Sequence, residues 1–163
     1  MSQGKKAIVI TGGASTIGKS VALRLADEGH TVCILDSDAI AGQDVAQSVS
    51  KVSKGFFVQY DPANSASEAA AAMEKAFVAL GRIDVLVNAA DALLKCPVAE
   101  ITSEAFDRVM SVNIKNVLFA SVAASEYMKR NEDGGNIVNI SSVQGRIAVG
   151  NHAAYSASKG AVM

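Results

Sequence analysis

The sequence predicts an α/β fold in which a doubly wound parallel sheet carries helices on both faces. Short apolar runs alternate with longer segments of helical period, the runs are mostly β-branched on successive positions, and the connections are short. Because strand–helix–strand units connect with a right-handed crossover, this order places the strands side by side in one parallel sheet. No repeat or flexible linker interrupts the pattern, so residues 1–163 are expected to form a single domain.

Five strands are expected in the runs KAIVI, TVCILD, GFFVQY, IDVLVN and NIVNIS. Residues at helical spacing mark two helices between the first three runs: Ile17, Val21, Leu25 and Glu28 for one, and Ala41, Val45, Val49 and Val52 for the other. Gly29 can end the first of these helices.

The alanine-rich segment after the third run also keeps a helical period. Ser65 and Glu68 have the spacing of a capping box, and Gly81 is placed to end this third helix. A long fourth helix is expected from about Thr102 to Asn131.

Composition restricts the class of partner. Fifteen basic residues balance sixteen acidic ones, so no charged surface is expected for nucleic acid or for an anionic membrane. No apolar run reaches the roughly 18 residues of a membrane helix. Cys33 and Cys96 lie far apart and have no metal-ligand spacing, so we expect no metal site, a buried Cys33 thiol and a reducing, cytoplasmic location.

The segment TGGASTIGKS fits two phosphate-binding patterns. Counted from Gly13, it is a P-loop in which Lys19 and Ser20 would serve the phosphates and magnesium of ATP or GTP. Counted from Thr11, it is a spaced-glycine turn for the pyrophosphate of a dinucleotide, with Thr16 in place of a middle glycine. Both patterns need a strand before and a helix after, so other parts of the chain must decide between them.

Asp36 ends the second apolar run, eighteen residues beyond Gly18. This is close to the spacing at which a dinucleotide fold places a carboxylate on the adenosine ribose, where it would also repel the extra phosphate of NADP. Two other roles remain open for Asp36. It can begin the cap of the next helix, or it can be the magnesium-binding aspartate of a Walker B strand.

The segment from Asn139 to Gly160 favours the dinucleotide interpretation. Tyr155 and Lys159 are four positions apart and share one face of a helix, and Ser142 lies thirteen residues before Tyr155. With T-G-x-x-x-x-x-G first, DVLVN in the middle and S…Y-x-x-x-K last, the sequence resembles the short-chain dehydrogenase/reductase (SDR) family over essentially its whole length. The resemblance implies a Rossmann fold. The P-loop match then arises only because Lys19 and Ser20 begin the first helix.

The resemblance also implies catalytic roles. Tyr155 would be the acid/base, Lys159 would lower its pKa and bind the nicotinamide ribose, and Ser142 would donate to the substrate oxygen. An ammonium at ~4 Å, at an effective dielectric of ~20, supplies roughly the 4 kcal/mol needed to bring a phenol pKa from about 10 towards neutrality.

Asn113 is a polar residue on an apolar helix face. It is either a satisfied structural asparagine or the family's kink residue that holds a relay water.

The cofactor implied by the resemblance is NAD, in preference to NADP. The residues expected to bind it are Gly12, Ser15, Thr16, Ile17, Gly18, Asp36, Asp61, Pro62, Asn88, Ala89, Tyr155 and Lys159. Three positions depart from the family pattern. Thr16 replaces a glycine, Asp91 ends NAAD where the family has NNAG, and Pro62 has no amide to offer the adenine. Each change is expected to weaken cofactor binding.

Family members continue beyond the helix in which this chain stops, at Met163, with further strands and a substrate loop. We therefore expect a fragment whose fifth strand is an apolar edge. The expected function is hydride transfer between a nicotinamide and a secondary alcohol or ketone, in a full-length form that pairs with itself through the fourth helix and the Tyr155 helix. The alternative is a non-catalytic cofactor-binding or subunit-pairing module, and an ATPase is a third possibility.

Overall fold

The computed structural model describes residues 4–163, so the first three residues of the predicted domain lie outside it. Its centre is a five-stranded sheet in the order β3-β2-β1-β4-β5, in which all neighbouring pairs are parallel. The strands are β1 (Ala7–Thr11), β2 (Thr31–Asp36), β3 (Gly55–Gln59), β4 (Val85–Asn88) and β5 (Asn136–Asn139). The strand order reverses between β1 and β4, which confirms the predicted doubly wound sheet.

Helices connect the strands and cover the sheet. They are α1 (Thr16–Asp27), α2 (Ala39–Ser50), α3 (Ala66–Leu80), α4 (Ser103–Met110), α5 (Asn116–Met128) and α6 (Ala153–Val162). A π-helical turn (Ser111–Lys115) joins α4 to α5, and short 3₁₀ helices lie at Val98–Glu100 and Val143–Gly145. None of the helices in residues 4–163 is both long enough and apolar enough to cross a membrane.

Each face of the sheet has its own apolar core. On one face, Val9 and Leu86 pack with Met73 of α3 and Ala124 of α5. On the other face, the strand residues Ile8, Ile10, Val32 and Ile34 pack with Ala22 of α1 and Val45 of α2. Since neighbouring strand residues point to opposite faces and both faces are covered, the strands are apolar at successive positions, as the sequence predicted.

The predicted C-terminal end of α1 and both predicted ends of α3 are confirmed. Ser65 accepts a hydrogen bond from the amide of Glu68, whose side chain accepts from the amide of Ser65, so the capping box is complete. Gly81 follows α3 in the left-handed conformation, at φ +78°, and Gly29 follows the first helix at φ +86°. Glycine adopts this conformation without the steric cost of a side chain.

The buried face of α1 differs from the predicted one by one position. Ile17 is 53% exposed, and the face against the sheet consists of Gly18, Ala22 and Ala26. Small residues occupy this face because α1 packs close to the turn that follows β1, where a Cβ on Gly18 would collide with the carbonyl oxygen of Gly12. Val52, predicted to belong to the second helix, is exposed and lies beyond its end.

The predicted fourth helix is not one regular helix. The π-helical turn interrupts it, with the amide of Asn116 bonding to the carbonyl of Ser111 five residues earlier, and α5 ends at Met128. The wider turn accommodates one more residue than an α-helical turn, and such bulges occur frequently at functional sites. Asn113 lies in this turn and is fully buried.

Among the described strands, β5 pairs with β4 alone. Its apolar residues Ile137 and Val138 are partly exposed, one on each face of the sheet. The predicted apolar edge is therefore confirmed.

Candidate functional site

The turn between β1 and α1 requires glycine at two positions. Gly12 has φ +65°, and a Cβ there would lie 2.5 Å from the Cα atom of Ala90. Gly18 has no room for a Cβ either, because the carbonyl of Gly12 lies against it. Ser15 caps α1 by accepting a hydrogen bond from the amide of Gly18 at 3.1 Å. The first amides of α1 therefore meet the carboxyl end of β1, an arrangement suited to an anionic group.

Thr16 is the first residue of α1 and its side chain is exposed. Among the described non-glycine residues only Asn151 has a positive φ, so threonine at position 16 causes no backbone strain. Lys19 is exposed, and the hydroxyl of Ser20 donates to the carbonyl of Thr16 at 2.8 Å. Neither Lys19 nor Ser20 lines the cavity beside the turn, so the geometry does not support a P-loop.

Asp36 joins the ends of two adjacent strands. Its Oδ2 atom accepts from the amide of Ala14 at 2.9 Å, and its Oδ1 atom accepts from the amide of Asp38 at 3.0 Å. The N-cap of α2 is Asp38, which accepts from the amides of Ile40 and Ala41, so Asp36 is not itself the capping residue. Its carboxylate faces the cavity beside the glycine turn and keeps lone pairs for a further donor.

This cavity has a volume of about 300 Å³ and lies at the carboxyl end of the sheet, at the strand-order reversal. Its lining includes Gly12, Ala14, Ser15, Asp36, Asp61, Pro62, Ala90, Asp91, Ala92 and Arg108. The carboxylate of Asp61 accepts from the amide of Ala63 at 2.9 Å, which holds the turn after β3. Parallel α/β sheets bind their ligands in this position.

Seven predicted cofactor residues do not line this cavity: Thr16, Ile17, Gly18, Asn88, Ala89, Tyr155 and Lys159. The side chain of Asn88 is buried and donates to Ser121 at 3.1 Å and to Asn139 at 2.9 Å. It thereby ties β4 to α5 and β5.

Tyr155 and Lys159 are both buried on one face of α6. The Nζ atom of Lys159 donates to the carbonyl of Ile140 at 3.0 Å and lies 5.7 Å from the ring centroid of Tyr155. Ser142, in the loop after β5, accepts from the amide of Gln144 at 3.2 Å, and it lies close enough to Tyr155 to act on its pKa. The fold thus brings Tyr155, Lys159 and Ser142 together.

Asn113 uses its amide to join two other segments. Its Oδ1 atom accepts from the amide of Ala92 at 2.8 Å, while its Nδ2 atom donates to the carbonyl of Ala92 at 3.0 Å and to the hydroxyl of Ser158 at 2.9 Å. Both polar atoms of the Asn113 side chain therefore have partners, and Asn113 holds the loop after β4 against the helix that carries Tyr155.

Asp91 contacts the predicted catalytic pair, which sequence reasoning did not foresee. Its Oδ2 atom accepts from the hydroxyl of Tyr155 at 3.1 Å, and its Oδ1 atom lies 3.1 Å from the Nζ atom of Lys159. The signal in the sequence was a carboxylate where the family pattern has glycine. Arg108 lines the same cavity. Nothing in the sequence distinguished it, because charged residues are common on exposed helix faces.

The surroundings of Tyr155 raise its pKa. Burial is the largest cause, followed by the charge of Asp91 and the hydrogen bond to it, and a hydrogen bond with Ser142 acts in the opposite direction. Without further partners the described site therefore favours the neutral phenol over the phenolate.

The chain is similar to known proteins over almost its whole length. A family described as short chain dehydrogenase matches residues 6–163. Cyclopentanol dehydrogenase of Comamonas testosteroni is 34% identical over 158 residues, 96% of this chain and 62% of the relative. An NADP-dependent (R)-specific alcohol dehydrogenase of Lentilactobacillus kefiri is 34% identical over 159 residues, 96% of this chain and 62% of the relative.

A crystal structure of an NAD+-bound xylitol dehydrogenase superposes with a TM-score of 0.90 at 31% identity, over 96% of this chain and 60% of that one. This chain spans about 62% of the length of the Comamonas and Lentilactobacillus relatives. Sheet order, glycine turn and family match agree over almost all of the sequence, and the chain belongs to the short-chain dehydrogenase family.

Proposed function

We propose that this chain is the cofactor-binding and proton-transfer part of an NAD-preferring oxidoreductase. It would move a hydride between a nicotinamide and a secondary alcohol or the matching ketone, with Tyr155 as the acid/base. The observation that carries this proposal is a single cavity whose lining extends from Asp36 to Asp91, the residue that contacts both Tyr155 and Lys159. A carboxylate suited to a ribose and a group able to transfer a proton thus belong to one site.

The residues present fit a dinucleotide. Gly12 and Gly18 leave a cradle that a Cβ would fill, the N-terminal amides of α1 suit a pyrophosphate, and Asp36 can accept hydrogen bonds from ribose hydroxyls. Two features reduce the fit. Pro62 lines the cavity without an amide hydrogen, and Asp91 adds a negative charge beside it. We therefore expect binding to be specific but weak.

A bound nicotinamide supplies or accepts the hydride, and the chain's own residues handle the proton. When an alcohol is oxidised, its O–H bond breaks and the oxygen of Tyr155 receives the proton; when a carbonyl is reduced, Tyr155 returns it. Lys159 is buried and held by the carbonyl of Ile140, so its ammonium is positioned to favour the phenolate. Ser142 lies close enough to Tyr155 to lower its pKa, and this proximity supports a role in orienting the substrate oxygen.

The cofactor preference rests on Asp36. Its carboxylate is held by the amides of Ala14 and Asp38, so it cannot easily move away from an added negative charge. A phosphate on the adenosine ribose would be repelled, which favours NAD. The Comamonas and xylitol relatives are named for alcohols whose hydroxyl-bearing carbon is secondary, or which include such carbons, and they support this substrate class.

Titration with NADH and NADPH, followed by nicotinamide fluorescence, tests the proposal on this chain and on any longer in-frame product. We expect saturable binding of NADH that is tighter than that of NADPH. No saturable change with either cofactor at millimolar concentration would contradict the proposal. Turnover is then measured with cyclopentanol, xylitol and acetoin. The matched variant Tyr155→Phe should retain NADH binding and lose about 10²–10⁴-fold in turnover.

A second candidate function is a subunit-pairing module. Leu118 and Val122 are exposed apolar residues four positions apart on α5, so they form a patch on one face of that helix. We propose that the chain pairs with a second copy through this helix, and that it works in the cytoplasm, where the free thiols Cys33 and Cys96 would stay reduced. Sedimentation of the unaltered chain and of Leu118→Lys tests the pairing. A monomer that is unchanged by the substitution would contradict it.

A further inference from the structure

Asp91 has a fixed place beside the catalytic pair. It lies three residues beyond the end of β4, and the next residue, Ala92, is held at both its amide and its carbonyl by the buried side chain of Asn113. The backbone that carries Asp91 is therefore anchored to the π-helical turn. This anchoring and the carboxylate's own contacts together fix the orientation of the Asp91 side chain.

The carboxylate of Asp91 contacts both Tyr155 and Lys159, the two side chains proposed to act in proton transfer. One oxygen accepts the hydrogen of the Tyr155 hydroxyl at 3.1 Å, and the other pairs with the Nζ atom of Lys159 at 3.1 Å. The Lys159 side chain is only 3% exposed, while that of Asp91 is 40% exposed. The pair is therefore partly screened by water, yet the ammonium has its nearest negative charge on Asp91 and not on a phenolate.

Two electrostatic effects follow from this geometry. A negative charge next to the phenol opposes its ionisation, and the same charge compensates the lysine that would otherwise favour ionisation. Both effects hold the proton on Tyr155. The raised pKa of Tyr155, caused first by burial and then by Asp91, agrees with this direction.

The other groups around Tyr155 do not replace Asp91 in this role. Lys159 on the same helix is the cation, and Ser142 from the loop after β5 acts to lower the pKa. The π-helical turn contributes the neutral Asn113 and an exposed Lys115. On α4, which packs against α6, the charged residues Glu104, Asp107 and Arg108 are all exposed, and Arg108 lines the cavity with Asp91.

We propose that Asp91 is a positioning residue that holds Tyr155 in its phenol form, so that the site is set to donate a proton to a carbonyl oxygen rather than to remove one from an alcohol. This inference rests on the proposed function, since it concerns the direction of that reaction. During reduction a C–H bond would form at the carbonyl carbon as the C–H bond that carries the hydride on the reduced nicotinamide breaks, and the π electrons of the carbonyl would move to its oxygen. An O–H bond forms at its oxygen as the O–H bond of Tyr155 breaks, and Tyr155 regains its proton from solvent.

The first test needs neither cofactor nor substrate. The chain has three tyrosines and no tryptophan, so tyrosine labelled with ¹³C at the hydroxyl-bearing ring carbon gives few signals, and Tyr155→Phe assigns the relevant one. The pKa of Tyr60 is raised to about 12, mainly by burial, which separates its ionisation from that of a less perturbed phenol. The pKa of Tyr155 is then compared among the unaltered chain, Asp91→Asn and Asp27→Asn.

Asp91→Asn keeps an oxygen that accepts from Tyr155, and it removes the charge together with the oxygen that pairs with Lys159. We expect it to lower the pKa of Tyr155 by roughly one to three units, from the Coulomb energy of a charge at ~4 Å for an effective dielectric between ~80 and ~20. Asp27→Asn removes a charge from an exposed residue at the far end of α1 and should leave the pKa unchanged. An unchanged or raised pKa in Asp91→Asn would overturn the inference, and Asp91→Ser provides a second variant if the first does not fold.

The second test measures reaction direction at neutral pH. The ratio of kcat for alcohol oxidation to kcat for ketone reduction, each at saturating substrate, should rise at least about tenfold in Asp91→Asn. The pH profile of kcat for oxidation should shift to lower pH by the same amount as the phenol pKa. A ratio that stays the same or falls would contradict the inference. Failure of NADH to bind the unaltered chain would instead contradict the proposed function, and the tyrosine titration would still decide the role of Asp91.

Discussion

Asn113 and Ser158 form a buried hydrogen bond of 2.9 Å that joins the π-helical turn to α6. The same asparagine holds Ala92 at both backbone groups, so one side chain connects the loop of Asp91 with the helix of Tyr155 and Lys159. The alignment of the candidate site therefore depends on a residue that touches neither Tyr155 nor Lys159 through any hydrogen bond described for residues 4–163.

Replacing this asparagine should destabilise the chain. Asn113→Ala removes three hydrogen bonds and leaves the amide and carbonyl of Ala92 without their partner, so we expect a loss of about 2–4 kcal/mol in the free energy of unfolding. Ser158→Ala removes only one of these bonds and should cost about 1 kcal/mol. Urea unfolding of both variants measures the difference, and equal losses would show that the bonds to Ala92 contribute little.

Gly12→Ala should be far more destabilising than Gly134→Ala. Both glycines have nearly the same positive φ, +65° and +67°, so both variants carry the backbone strain of about 1 kcal/mol. Only at Gly12 would the added Cβ also collide with the backbone of Ala90, while the space around Gly134 is open. Thermal unfolding of the two variants isolates the collision, and the prediction fails if their melting temperatures fall by the same amount.

Asp36→Asn should change the cofactor preference. The amide oxygen of asparagine can still accept from the amide of Ala14, while the charge and the hydrogen bond from the amide of Asp38 are lost. We expect NADH affinity to fall and NADPH affinity to fall less or to rise, because the repulsion of the extra phosphate is removed. The ratio of the two dissociation constants is the measurement, with Asp27→Asn as the charge control. A ratio unchanged from the unaltered chain would mean that Asp36 does not face the ribose.

Cys33 should make the chain less stable in alkaline solution. Burial raises its pKa from 9.0 to about 12, so the native state keeps a proton that the unfolded state loses between these values. The free energy of unfolding should therefore fall by up to about 1.4 kcal/mol per pH unit between pH 9 and 12 from this group alone, and its contribution is fully present below pH 9. Cys33→Ala should remove this slope. Unfolding at several pH values measures it, and parallel curves for the two chains would contradict the assignment.

Local sequence signals predicted most of the sheet and several helix ends. The β-branched apolar runs identified all five strands because a strand that is covered on both faces has no need of polar alternation. Ser65, Glu68 and Gly81 identified both ends of α3 because a cap is formed by residues close in sequence. The interruption at Ser111–Lys115 was not predicted, since it depends on what Asn113 meets across the fold.

The sequence by itself determined the α/β class, the strand positions, the glycine turn and the residue types of the candidate site, because these follow from local spacing and from side-chain size. Only the tertiary structure decided how the site is arranged. It directed Asn88 away from the cavity into the sheet, placed Asp36 on the glycine turn, and brought Asp91 to Tyr155 across 64 positions of sequence. Contacts over such separations depend on which strands are neighbours in the sheet, and that order is set by the packing of the whole chain.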